Sequence, residues 1–117
     1  MIVVTTNYIS GYKITKVLGA TFGVVVRSRG IGGNIVAGLR GLVGGEINEY
    51  TKMLSDAREH AINRLCDNSK ALGTNAVIGL NFDSSEIGQI MTEIVAYGTA
   101  VVVEPDASSK VAPVSLR

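Results

Sequence analysis

Residues 91–104 read MTEIVAYGTAVVVE, and both alternating sets within this stretch are apolar. Val95, Tyr97, Thr99, Val101 and Val103 share one parity, while Ile94, Ala96, Gly98, Ala100 and Val102 share the other. Side chains alternate between the two faces of a strand, and a sheet covered by a helix on one face normally turns a polar set to water on the other. Neither set here is polar, so both faces of this strand call for cover. A chain with one long helix has material for only one such layer. The expectation is therefore a homo-oligomer in which neighbouring copies supply the second layer, closed into a ring that leaves few free strand edges.

Outward from this strand, Ala76 to Phe82 alternates Ile78, Leu80 and Phe82 against Val77, Gly79 and Asn81. Asp83 to Gly88 reads as a turn, which makes the two strands an antiparallel hairpin. Pro105 ends the last strand, and residues 106–117, small, polar and without periodicity, read as a flexible tail outside a single domain of residues 1–105. Glu46 to Leu72 carries Ile47, Tyr50, Leu54, Ala57, Ala61, Leu65 and Leu72 at three- and four-residue steps, the stripe of an amphipathic helix. Glu46 and Glu49 in its first turns, Lys70 in its last and Gly73 just beyond suit the helix dipole and a left-handed cap.

Ser28 to Gly45 holds seven of the fourteen glycines, interleaved with Ile35, Leu39, Leu42 and Val43 at helical spacing. That pattern predicts a short apolar helix rather than a polar linker. Tyr12 to Arg27 is dense in β-branched residues, and Ile14, Leu18, Ala20, Phe22, Val24 and Val26 share one parity. Gly19 and Gly23 inside it predict a bulge or bend, giving either one kinked strand or a pair of strands meeting near Gly19, and Met1 to Thr5 a short edge strand set off by an Asn7 to Gly11 turn. The fold class is α+β in two layers, an antiparallel sheet packed by one long and one short helix.

The 117-residue chain is long enough to bury a core without staples. Eleven Lys and Arg against ten Asp and Glu leave a net charge of +1, too small to draw nucleic acid or an acidic membrane by its field. The chain is 46% hydrophobic and only 18% charged, yet Thr21, Arg27, Asn34, Arg40, Glu93 and Thr99 interrupt every candidate membrane span. A mean hydropathy of +0.30 is thus better matched to protein contacts than to lipid. One cysteine, Cys66, forms no intrachain disulfide, and the expected compartment is the reducing cytoplasm.

Several residue sets bear on chemistry. Arg27, Arg29 and Arg40 flank the glycine-rich segment, and with Gly44, Gly45 and Glu46 they form a candidate anion or small-ligand site, because glycine frees backbone N–H groups to face an anion. Neither G-x-G-x-x-G nor G-x-x-x-x-G-K-[ST] occurs, so close backbone packing competes with that reading. Asp56 and His60 lie one turn apart, a spacing that suits a metal pair or a carboxylate-oriented base, and Cys66 is the third candidate metal ligand. A transition-metal site takes three or four donors, so a solvated helix face competes here, unless copies around an axis turn one His60 into a ring of them. Cys66 borders the apolar stripe, where a free thiol packs as a small hydrophobe. Asp83, Glu86 and Glu93 flank the last hairpin as a candidate carboxylate cluster. No catalytic residues are assigned, since the single histidine lies mid-helix and no nucleophile elbow is present.

In order along the chain stand Gly11-Tyr-Lys-Ile, Val17-Leu-Gly, Ala37-Gly-Leu-Arg, Leu42-Val-Gly-Gly-Glu46, Tyr50-Thr, Ala57-Arg-Glu, Leu72-Gly-Thr-Asn-Ala-Val, Phe82-Asp and Ala96-Tyr-Gly-Thr-Ala. This set resembles the YbjQ-like family of small bacterial and archaeal proteins over residues 1–105. The resemblance implies a dodecin-like α+β subunit assembled as a ring, pentameric by analogy. It also carries a heavy-metal-binding label, with no ligand set that maps residue by residue onto this chain. The leading functional expectation is a ring that binds a metal ion or small ligand between subunits. The alternatives are an enzyme with its site assembled between subunits, for example Arg40 with Glu46 or Asp83, and a non-catalytic scaffold.

Overall fold

The computed structural model describes residues 1–28, 48–88 and 91–108. Within these residues four strands and one helix follow in the order β1 (Ile2–Val3), β2 (Tyr12–Ser28), α1 (Asn48–Ala71), β3 (Ala76–Ile87) and β4 (Met91–Pro105). The sheet order is β1-β3-β4-β2. Both β2 and β3 run antiparallel to β4, but β1 lies parallel to β3, with Ile2 beside Ala76 and Val3 beside Val77. The sheet is therefore mixed rather than purely antiparallel. A hairpin forces neighbours to oppose each other, whereas β1 reaches β3 only after the chain has passed through β2 and α1, so no tight turn dictates its direction.

The helix ends where its glycine predicts. Gly73 has φ +83, its N–H donates to the Lys70 carbonyl at 2.9 Å, and the Thr74 N–H reaches the Ser69 carbonyl at 3.3 Å, which is the Schellman pattern. The buried Ser69 and Thr74 hydroxyls contact each other, and Thr74 Oγ1 donates to the Ser69 carbonyl at 2.7 Å. No polar side-chain atom buried in the core lacks a partner among the described residues.

Ala57, Ala61, Ile62 and Leu65 of α1 pack on Val25, Val77, Leu80, Ile94 and Ala96, forming the main core. The two glycines of β2 divide their labour. Gly19, with φ +121, opens the bulge between Val17 and Gly19. No register shift occurs at Gly23; it lets the helix touch the strand, since a Cβ there would lie 2.0 Å from the Ala61 carbonyl oxygen and 2.5 Å from the Leu65 N. The backbone at Ala61 and Leu65 meets this bare stretch of strand.

Parity in β2 carries a reversal. The helix side takes Thr21, Gly23 and Val25, all buried, so the richer set Phe22, Val24 and Val26 points away from it. On that far face the chain provides part of its own cover. Ile9 folds over Val101 and Val103 with Ile2 and Ala76, and Tyr12 packs beside them. The expectation that one chain shields only one sheet face thus fails at this end, because the Asn7 to Gly11 turn returns across the sheet, closed by the Tyr12 N–H on the Ile9 carbonyl at 3.1 Å. At the other end the far face stays bare: Phe22 is 52%, Val26 47%, Val24 43% and Tyr97 39% exposed.

The hairpin is longer than the sequence pattern implies, for β3 continues through Asp83–Ile87 and turns only at Gly88, which has φ +65. Cross-strand pairing with β4 outweighs the turn propensity of Asp83, Ser84 and Ser85. The short helix expected within Ser28 to Gly45 and the tail beyond Ser108 lie outside the described residues.

Candidate functional site

The chemistry-bearing side chains gather on the flanks of α1. Along the flank beside β2 stand His60, Arg64 and Asn68, at four-residue steps. His60 Nδ1 contacts Arg27 Nη2, Arg64 Nη1 donates to the Val24 carbonyl at 2.6 Å, and Asn68 Nδ2 donates to the Phe22 carbonyl at 2.6 Å. A guanidinium only donates hydrogen bonds, so the imidazole meeting Arg27 offers its Nδ1 lone pair.

The opposite flank carries the thiol. Cys66 is half-buried against the main core and borders a cleft of about 320 Å³ with Met1, Glu59, Asn63, Asp67 and Lys70. A third region lies where the first half of α1 faces the hairpin. There Leu54, Arg58, Ser84, Glu86, Thr92 and Ile94 line a cleft of about 320 Å³, and the Arg58 guanidinium sits 5.7 Å from the centre of the Phe82 ring. Arg58 and Thr92 escape sequence reasoning because nothing in their local pattern distinguishes them from a solvated helix face and an ordinary strand. A strand reading of residues 83–87 would have brought Ser84 and Glu86 to the helix side.

The candidate metal set does not converge within one chain. Asp56 and His60 share the exposed side of α1, but six residues separate His60 from Cys66, which sets them about 120° apart around the axis and about 9 Å along it. No group of three or more His, Cys, Asp or Glu side chains placed to hold a metal occurs among the described residues. Both the single histidine and the single cysteine are described, so one chain offers one imidazole and one thiol. These donors do not fit a heavy-metal centre, which wants several thiolates or imidazoles at one point.

Of the candidate anion site only Arg27 can be located, at the end of β2; Arg29, Arg40, Gly44, Gly45 and Glu46 lie outside the described residues. The hairpin carboxylates do not form one cluster. The register puts Asp83 and Glu93 on the face away from α1 and Glu86 on the face toward it, and Asp83 accepts the Ser84 N–H at 3.0 Å. Farther off, the Ser108 hydroxyl and N–H hold the Asp106 carboxyl below its ordinary range.

A family model described as "Putative heavy-metal-binding" matches residues 1–104, and a UPF0145 protein of Thermoplasma volcanium is 66% identical over 116 residues, covering 99% of this chain and 94% of its own. The chain belongs to this UPF0145, or YbjQ-like, family. A UPF0145 protein of Bradyrhizobium sp. is 62% identical over 105 residues, covering 90% of this chain and 95% of its own. Among solved structures, a protein of unknown function from the DUF74 family of Pediococcus pentosaceus aligns with a TM-score of 0.58. The alignment covers 89% of this chain and 98% of that one at 18% identity, a likeness of fold alone. No described helix is long and apolar enough to cross a membrane.

Proposed function

We propose that this UPF0145 chain is the subunit of a closed homo-oligomer, pentameric by family resemblance, which binds a metal ion or small ligand between subunits rather than within one. The observation that carries the proposal is the bare end of the far sheet face. Phe22 pairs with Tyr97 and Val24 with Val95 across β2 and β4, giving two successive apolar pairs bordered by Asn81 and Asp83 on β3 and by Glu93 beside Val26. A contiguous apolar patch of this kind on a soluble chain marks an interface. A second copy is the occupant favoured by the near-neutral charge and by the self-covered opposite end, which leaves one continuous patch for a neighbour.

The ligand half of the proposal follows from what one chain lacks. A soft-metal centre needs three or four donors, and one thiol and one imidazole on different flanks of α1 do not supply them. Symmetry-related copies of His60 do, if they converge. Native mass spectrometry with elemental analysis of the purified protein tests both halves. The expected result is one closed oligomer of uniform size, with any retained metal or metabolite present at fewer than one per chain. A stable monomer at micromolar concentration overturns the assembly, and an empty oligomer overturns the ligand half in favour of a scaffold.

A further inference from the structure

Among the described residues no strand pairs with the outer edge of β2, and that edge is guarded in two different ways along its length. Toward its start, Lys13 and Lys16 and two register shifts, between Ile14 and Lys16 and between Val17 and Gly19, are features that hinder another strand from pairing. From Ala20 to Val26 the sequence ATFGVVV carries no charge, no proline and no bulge. A β-prone, uncharged run of this length on an open edge is the signature of uncontrolled strand addition. Along this unguarded stretch, and not along the other, α1 lays its polar ridge.

The ridge matches the edge in spacing. Alternate residues of a strand lie about 6.7 Å apart, and residues four apart on a helix rise about 6 Å. Asn68 meets the Phe22 carbonyl and Arg64 the Val24 carbonyl, each at 2.6 Å, with the His60 contact to Arg27 continuing the row. A strand residue projects its N–H and C=O to the same side. Phe22 and Val24 therefore present both groups to the outer edge, and the carbonyls are already taken.

We propose that Asn68 and Arg64, with His60 beside them, stand in the place of a fifth strand and form an autoinhibitory contact. They hold closed a latent docking edge whose partner, once it is opened, is the same edge strand of a second copy. This inference stands apart from the face-on assembly proposed above, since it concerns the edge of the sheet and not its bare face.

The test uses the full chain with Arg64→Ala and Asn68→Ala combined, and alongside it Arg64→Met with Asn68→Leu, which removes the donors while keeping side-chain bulk. Circular dichroism and thermal melting report the fold; light scattering and thioflavin T fluorescence report growth over days. The expected result is a folded variant that grows into β-rich assemblies at least about tenfold faster than the parent protein. Adding Val24→Pro, which deletes an outward N–H on an edge strand that tolerates it, is expected to suppress that growth. Folded variants that do not grow overturn the proposal, as does growth that Val24→Pro leaves unchanged. Unfolding of both combined variants also overturns it, by making these contacts supports of the fold rather than a guard.

Discussion

At the scale of single residues, the closest approach in the fold is decided by a missing side chain. Gly23 places strand backbone against helix backbone at Ala61 and Leu65, so a methyl group there has no flexible neighbour to displace. Gly23→Ala is expected to push α1 off the sheet and cost about 3 kcal/mol, the upper part of the overpacking range. Gly19→Ala, with open space around it and only the strain of a positive φ to bear, should cost about 1–2 kcal/mol. Urea unfolding of the two variants separates steric contact from backbone strain, and equal losses would count against the role given to Gly23. The sequence marked both positions as special within a strand but could not tell them apart. A bulge and a close approach call for the same residue type, and only the position of the helix distinguishes them.

Among the elements, α1 was the most legible, because a stripe at helical spacing and a glycine cap are local properties. Its stripe is realised at Ala57, Ala61 and Leu65, all fully buried, while Leu72 falls past the last turn and is exposed. Among the described residues Leu65 is the largest of the fully buried side chains, and Leu65→Ala is expected to cost about 2–5 kcal/mol through lost burial and the cavity left behind. A shift in the denaturation midpoint at unchanged slope would report that loss. The strands were less legible. In β2 the apolar set that dominates the pattern, Phe22, Val24 and Val26, faces away from the helix, and the sparse set of Thr21, Gly23 and Val25 forms the contact. Richness in apolar residues predicts burial somewhere, without saying against which layer. The same blindness hid the clefts beside Arg58 and Cys66, in which α1 meets the hairpin strands and Met1 respectively, segments far apart in the chain.

At the scale of the whole molecule, the bare sheet face makes a prediction about assembly that leaves the subunit intact. Phe22→Glu places a charge on the far face, remote from the core beneath α1. It is expected to dissociate the proposed oligomer into folded subunits, with unchanged far-ultraviolet circular dichroism and a mass in light scattering that drops to that of one chain. An oligomer that survives Phe22→Glu and Val24→Asp together would place the interface elsewhere.

The amino-acid sequence alone determined the family, the existence of the long helix and its cap, the irregularity at Gly19 and the pairing of the last two strands. Each is a property of local periodicity, of a residue with unusual backbone freedom, or of an ordered set of motifs. Tertiary structure decided the rest. It set β1 parallel to β3, turned the rich face of β2 outward, brought Ile9 over Val101, and separated His60 from Cys66 on opposite flanks of α1. These outcomes depend on which surfaces distant segments present to one another once packed, and contacts between distant segments have no period to read along the chain.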